Sequence, residues 1–350
     1  LISNVQFVFK SGCSSLESGG YMSFFSKFIF CCSVIFIMAT GSSQAKVFSI
    51  EPKDMPSAPK LTGKFYNSTI NNDGSERKFW AYLPADLPPN SPLVIVLHGS
   101  EMNGVSMREM TGYEFDWFAD QRKFAVVYPE GYKNNWNDCR KNATFPAKVE
   151  NIDDVGFIKT LISEFVQKAG VDPKRIYIFG YSNGGHMALR MALEHPDSVT
   201  AVAVVGASMP STDDSSCPSQ GKTSRIMFID GTADPINPFN GGVVTLFGKG
   251  SRGKALSALD SAEIIAKRNG INTTPRVITF EPKLRNDPTW VKSSVWYKDN
   301  EPFVSFDAVY GGGHVIPQPI VAFPKMLGSV TSALNAPQSS LDFFGINADR

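Results

Sequence analysis

Residues 175–185 read RIYIFGYSNGG. The run 175–179 (RIYIF) has the length and composition of a short strand buried on both faces. It is followed at once by Gly180-Tyr181-Ser182-Asn183-Gly184 and then by a helical pattern over 183–194. A serine at a strand-to-helix turn, with glycine two residues before and two after, is a nucleophile elbow in the context that gives the motif meaning. The sharp turn forces the serine backbone into strain, and the small flanking residues keep neighbouring elements from colliding. Gly185 adds clearance. Ser182 is the expected nucleophile.

The pattern around this turn repeats. Apolar runs at 92–97 (PLVIVL), 124–128 (FAVVY), 199–205 (VTAVAVV) and 225–229 (RIMFI) alternate with helical patterns at 151–169, 183–194 and 255–269. The first of these helices carries Val155, Ile158, Leu161, Ile162, Phe165 and Val166 on one face. Buried strands alternating with amphipathic helices predict an α/β fold, a mostly parallel central sheet covered by helices on both faces. Turn chemistry at Asn71 to Gly74 ahead of the run 77–83 predicts an opening hairpin. A strand pair at 291–297 and 303–309 and a closing helix over 340–344 complete the reading.

A serine hydroxyl needs a base within hydrogen-bond reach, and near neutral pH histidine supplies it best. The chain has four histidines. His195 sits in EHPD at a helix C-terminus, where a cation suits the dipole. His186 lies one turn into the helix after Ser182 and reads as a packing residue. His98, ending a strand before Gly99, reads as a neighbour of the oxyanion loop. His314, in the loop GGGHVIP, remains as the base. Asp234, in the loop just past 225–229, is the expected carboxylate to orient it, with Asp230 the runner-up. The chain order Ser182, Asp234, His314 is that of the α/β-hydrolases. The backbone N–H groups of Asn183 and Ser100 are the expected oxyanion donors. For substrate binding the reading selects Tyr181 and also Trp136, in a loop after the run 124–128. Trp136 either stacks on an acyl group or packs beneath its own loop.

The 350 residues include 34 Lys plus Arg and 33 Asp plus Glu, a net charge of +1, which lacks the basic footprint of a nucleic-acid binder. The histidines show no ligand-spaced pair, so no metal site is expected. Residues 1–21 read as sequence upstream of a native start. Residues 22–45, with Lys27, the apolar stretch 28–39 and the small-x-small site Ser43-Gln44-Ala45, read as a secretory signal peptide. The apolar stretch is shorter than a membrane span. The expectation is a secreted protein, extracellular or periplasmic, free of the membrane after cleavage, with a Pro-rich lead-in at 46–58 and one catalytic domain over 59–350. No linker to an accessory module is visible. Cleavage after Ala45 leaves two cysteines, Cys139 and Cys217, which form either one disulfide or two separate buried thiols. The sequence sets no oligomeric state.

Taken together, His98-Gly99-Ser100, DDVGFI at 153–158, the elbow GYSNGG, GTADPINPFNGG at 231–242 and GGGH at 311–314 resemble the secreted polyhydroxybutyrate depolymerase and feruloyl esterase family of α/β-hydrolases. The resemblance covers about residues 64–344. It implies an α/β-hydrolase fold, the triad as placed above, and ester hydrolysis without a cofactor. The leading expectation is a serine carboxylic-ester hydrolase acting on polyester oligomers through an acyl-enzyme. The alternative is a feruloyl or acetylxylan esterase acting on plant cell-wall polysaccharide. A catalytically silent binding protein of the same fold is the third reading. The chain departs from the family at Ser100, where members often carry Cys, and at Val315-Ile316-Pro317, where they often carry Thr-Trp-Pro.

Overall fold

The apolar runs become strands because each has five to seven residues, most of them able to bury both faces of a pleat, and ends at a glycine, a proline or a polar turn. The computed structural model describes residues 60–347. The expected upstream segment 1–21, leader 22–45 and lead-in 46–58 lie outside them. Strands β1 (Lys64–Asn72) and β2 (Ser75–Leu83) form the opening hairpin, closed by Asp73 and Gly74 in the left-handed region. After β3 (Leu93–Leu97) come helices α1 (Gly104–Met110) and α2 (Glu114–Arg122), then β4 (Ala125–Pro129). A short α3 (Pro146–Val149) and the long α4 (Asp154–Lys168) lead to β5 (Ile176–Tyr181), α5 (Asn183–Glu194), β6 (Ala201–Val205) and β7 (Arg225–Gly231). A two-stranded ribbon of β8 (Gly242–Val243) and β9 (Lys254–Ala255) precedes α6 (Ala258–Arg268). The last elements are β10 (Arg276–Phe280), β11 (Trp290–Lys298), β12 (Glu301–Tyr310) and α7 (Ala336–Phe344).

Ten strands make one sheet in the order β1-β2-β4-β3-β5-β6-β7-β12-β11-β10. The six from β4 to β12 run parallel, and antiparallel strands flank them on both sides. Alternation along the strands feeds two cores. Leu93, Ile95 and Leu97 of β3, with Ile176 and Ile178 of β5, face α4, α5 and α6. Val94, Val96, Tyr177 and Phe179 face α1, α2 and α7. A one-residue register slip in any central strand would exchange the two sets, so pairing is strongly specified. Among the described residues no helix is long and apolar enough to cross a membrane.

Sheet order places the ends of β3, β5, β7 and β12 along one edge, with β5 at the centre. Ligand crevices of open parallel sheets form outside the carboxyl ends of the strands. Ser182 follows β5, Asp234 follows β7, His314 follows β12 and Ser100 follows β3. Residues 52 to 214 positions apart in the sequence are thus delivered to one rim by topology alone.

Candidate active site

Ser182 has φ 54° and ψ −118°, an unfavourable backbone for a residue with a Cβ. Its surroundings hold it there. The Ser182 N–H donates to the Val205 carbonyl, and its own carbonyl accepts from His186 in the first turn of α5. A Cβ on Gly180 would collide with the Gly184 carbonyl, and one on Gly184 with the carbonyl of Leu97, so the turn is this tight only because both positions are glycine.

His314 Nε2 lies 2.9 Å from Ser182 Oγ. His314 Nδ1 lies 2.6 Å from Asp234 Oδ2. The other oxygen of Asp234 accepts from the N–H groups of Ile236 and Asn237 at 2.7 and 2.8 Å, which fixes the carboxylate in its loop. Tyr181 donates its hydroxyl to the His314 carbonyl at 2.8 Å, and its ring lies against the imidazole. The imidazole is therefore held at Nδ1 by Asp234 and on one side by the Tyr181 ring. A hydroxyl, an imidazole and a carboxylate in this chain of contacts can pass the hydroxyl proton to Nε2 while the carboxylate stabilises the cation that forms.

The other histidines are disposed differently. His98 is fully buried, with Nδ1 2.7 Å from the Gly99 carbonyl and Nε2 accepting from the Gly131 N–H at 2.9 Å. Burial lowers its pKa to about 4. His186 is also buried, and burial with the nearby Arg140 charge brings it to about 3. Both rings stay neutral and away from Ser182. His195 caps the C-terminus of α5. Asp230 is buried at the end of β7 and is not bonded to His314. Burial, and then the charge of Asp234, push its pKa well above the usual carboxylate range.

A cleft opens over Ser182, lined by Ser100, Tyr181, Asn183 and His314 on the polar side and by Ile236, Val244 and Leu246 on the apolar side. Asn183 opens α5, so its N–H, like the first amides of any helix, has no intrahelical acceptor. Its side chain is tied down at both ends. Oδ1 accepts from the Trp136 N–H at 2.7 Å, and Nδ2 donates to the Trp136 carbonyl and to Asp138 Oδ2. Asp138 is fully buried against Arg140. Burial alone would raise its pKa, but the charge and hydrogen bonds of Arg140 hold it at about 2.

Trp136 corrects the sequence-based expectation of a substrate-binding side chain. It is fully buried, its indole N–H donates to the His98 carbonyl at 2.9 Å, and its ring packs on the His98 imidazole. The loop folds inward because Asn183 captures the Trp136 backbone, which carries the ring under the site rather than into the cleft. Tyr181 does border the cleft, though its hydroxyl is committed to His314. Cys139 and Cys217 are joined in a disulfide with 5.3 Å between their Cα atoms. Two charged lining residues escaped the sequence reading, Arg140 and Arg252, as did the apolar Ile236, Val244 and Leu246. The adjacency of Asp138, Cys139 and Arg140 is the one local signal for the first. Nothing in the segment GKGSRGKA sets Arg252 apart from a surface arginine.

The BD-FAE family model matches residues 81–216. The chain is 27% identical over 266 residues to "Putative esterase NocK" of Nocardia uniformis subsp. tsuyamanensis, covering 73% of this chain and 75% of that one. It is 27% identical over 40% of its length to the bifunctional acetylxylan esterase/xylanase XynS20E of Neocallimastix patriciarum. It is 29% identical over 39% of its length to poly(3-hydroxyalkanoate) depolymerase C of Paucimonas lemoignei. These matches span 19% and 33% of those two longer relatives. Among solved structures, an acetyl xylan esterase from Aspergillus awamori superposes with a TM-score of 0.53 at 14% identity, covering 81% of this chain and all of that one.

Fold, elbow and relatives define a carboxylic-ester hydrolase of the α/β-hydrolase fold. Within that class the similarity is to the group that includes polyhydroxyalkanoate depolymerases, feruloyl esterases and acetylxylan esterases.

Proposed function

We propose that the protein is a secreted serine esterase that cleaves short aliphatic esters of the hydroxybutyrate-oligomer type through an acyl-enzyme, with Ser182 as nucleophile, His314 as base and Asp234 as the residue that orients it. The observation that carries the reading is the chain of contacts at 2.9 Å from Ser182 to His314 and 2.6 Å from His314 to Asp234.

Ser182 Oγ attacks the ester carbonyl carbon as its proton moves to His314 Nε2, and the carbonyl oxygen becomes an oxyanion facing the N–H groups of Asn183 and Ser100. The tetrahedral intermediate collapses, the C–O bond to the alcohol breaks, and the alcohol leaves with the proton from Nε2. Water then attacks the acyl-enzyme by the same route, and a carboxylic acid and free Ser182 result.

Branched aliphatic side chains, Ile236, Val244 and Leu246, form the apolar wall, and the one tryptophan expected there is buried elsewhere. That wall suits a small aliphatic acyl group better than the flat ring of a feruloyl group. Acetyl esters of xylan are the second reading, favoured by the same small apolar wall. Secretion is supported by the leader pattern at 22–45 and by the Cys139–Cys217 disulfide, a bond that persists in oxidising compartments. The single catalytic domain is taken to begin near residue 59.

The test is a substrate panel on the purified protein: p-nitrophenyl acetate and butyrate, hydroxybutyrate dimer and trimer, acetylated xylan and methyl ferulate. The expected result is turnover of the aliphatic esters and oligomers, lost in Ser182→Ala. Preference for methyl ferulate would reverse the acyl assignment, and turnover unchanged in Ser182→Ala would remove the triad.

A further inference from the structure

Two guanidinium groups border the cleft over Ser182, and their charges are handled differently. Arg140 is buried and paired with Asp138. Arg252 forms no ion pair among the described residues. Its Nη1 donates to Ser100 Oγ at 2.8 Å, and the residue lines the cleft. Burial pulls its pKa down from the usual arginine value, the charge of Arg140 adds to that, and the charges of Glu101 and Asp138 act against it. Glu101 itself is exposed and accepts a hydrogen bond from Asn135 rather than from Arg252.

The position of Arg252 is built rather than incidental. Its backbone bridges to Ala143 and its N–H donates to the Val244 carbonyl at 2.9 Å, which ties the ribbon of β8 and β9 to the loop after the disulfide. The next residue, Gly253, has φ +87° and packs so closely on Asp214 and Arg140 that a Cβ would not fit. The Phe145 ring lies within 6.0 Å of the guanidinium. A half-buried guanidinium loses hydration, and without a carboxylate partner that cost is only partly offset inside the protein. Arginine's planar fork matches a carboxylate in bidentate geometry. The polar partner that holds it, Ser100, is also the residue proposed to donate at the oxyanion.

We infer that Arg252 forms an anion subsite beside the nucleophile and that the enzyme takes esters bearing a free carboxylate near the scissile bond. A hydroxyalkanoate oligomer has such a carboxylate at one end, whereas methyl ferulate and acetylated xylan do not. The inference rests on the serine esterase reading and adds the substrate's charge to it. The carboxylate can belong to the acyl or the alcohol part, and the experiment separates the two.

The probes are p-nitrophenyl hemiglutarate against p-nitrophenyl valerate for the acyl side, and 3-acetoxybutyrate against 3-acetoxybutyramide for the alcohol side. For at least one pair the wild-type kcat/KM should favour the anion by about tenfold or more, as a charge-assisted hydrogen bond implies. That ratio should collapse toward one in Arg252→Gln and be partly kept in Arg252→Lys. It should also fall as NaCl is raised in the wild-type enzyme, a readout that needs no variant to fold. Neutral esters turned over with no anionic preference in either pair would overturn the subsite and leave the esterase intact. An anionic preference that survives Arg252→Gln would overturn the assignment to Arg252. Failure on all four esters, with no reaction of Ser182 toward a fluorophosphonate, would instead remove the underlying esterase reading.

Discussion

Asp138 Oδ2 accepts a hydrogen bond from Asn183 Nδ2 at 2.8 Å, so the residue that opens α5 beside Ser182 is held by a buried carboxylate. The same carboxylate pairs with Arg140, whose side chain lies in the floor of the cleft. One buried ion pair therefore braces the Asn183 side of the cleft, while Asp234 and Tyr181 brace the His314 side.

Asp138→Asn removes the negative charge and leaves Arg140 buried without its counterion. The expected loss of stability is about 3 to 5 kcal/mol, with kcat lowered more than KM is raised because Asn183 loses its anchor. The acid limb supplies a second readout. The folded pKa of Asp138 is depressed to about 2, below the ordinary value of 3.8. Its contribution is therefore present above pH 4 and is lost as pH falls toward 2. Denaturant melts at pH 7, 4 and 2.5 should show the difference between wild type and variant shrinking with acid. A constant difference would place the Asp138 effect outside its charge.

Trp136→Ala should behave as a core deletion. Removing a fully buried indole costs about 3 to 5 kcal/mol, and the His98 carbonyl loses its donor. Activity should fall by a similar factor on acetate, butyrate and bulkier esters. A selective loss on bulky esters with an unchanged Tm would return Trp136 to the cleft.

The Cys139–Cys217 bond closes 78 residues. In the chain-entropy model a loop of that length contributes about 4 kcal/mol. Protein beginning after residue 45 should show no free thiol when denatured without reductant. Reduction, or replacement of both cysteines by serine, should lower the Tm. Two free thiols per chain in the unreduced protein would contradict the bridge.

Glu114 gives a pH dependence of opposite sign to that of Asp138. Burial raises its carboxyl to about 7, against the hydrogen bond from Asn335. The folded state holds this proton more tightly than the unfolded chain, whose value is near 4.5. Stability from this group is therefore greatest below pH 4.5, declines as pH rises to 7, and is flat above. Glu114→Gln keeps a side chain that can accept from Asn335 and abolishes the titration. Relative to wild type, the variant should gain roughly 1 to 3 kcal/mol between pH 4.5 and 8. Asp116 and Asp307 titrate in both proteins and cancel in the comparison. A difference independent of pH would show that Glu114 is not the titrating group.

The central sheet was legible because its strands are buried on both faces and read as unbroken apolar runs. The elbow and Asp234 were legible because each follows such a run, and His314 because it follows the last strand-like segment in a loop of three glycines. Helix α2 was not, since EFDWFADQR buries Glu114 and Asp116 together with Phe115 and Phe118 and so lacks an apolar stripe. Strand β10 is exposed along its whole length at the sheet edge and offers no alternation. Trp136 and Arg252 illustrate the remaining gap. Whether a loop side chain turns in or out depends on partners such as Asn183 and Ser100, which arrive from distant parts of the chain.

The most direct test of the proposed triad is covalent labelling with a fluorophosphonate followed by peptide mass spectrometry of the wild type and of His314→Ala. A single adduct on the Ser182 peptide, formed at the rate at which ester hydrolysis is lost and suppressed on the order of 10³-fold or more in His314→Ala, is the predicted result. An adduct on a different serine, or continued hydrolysis by protein fully labelled at Ser182, would contradict it.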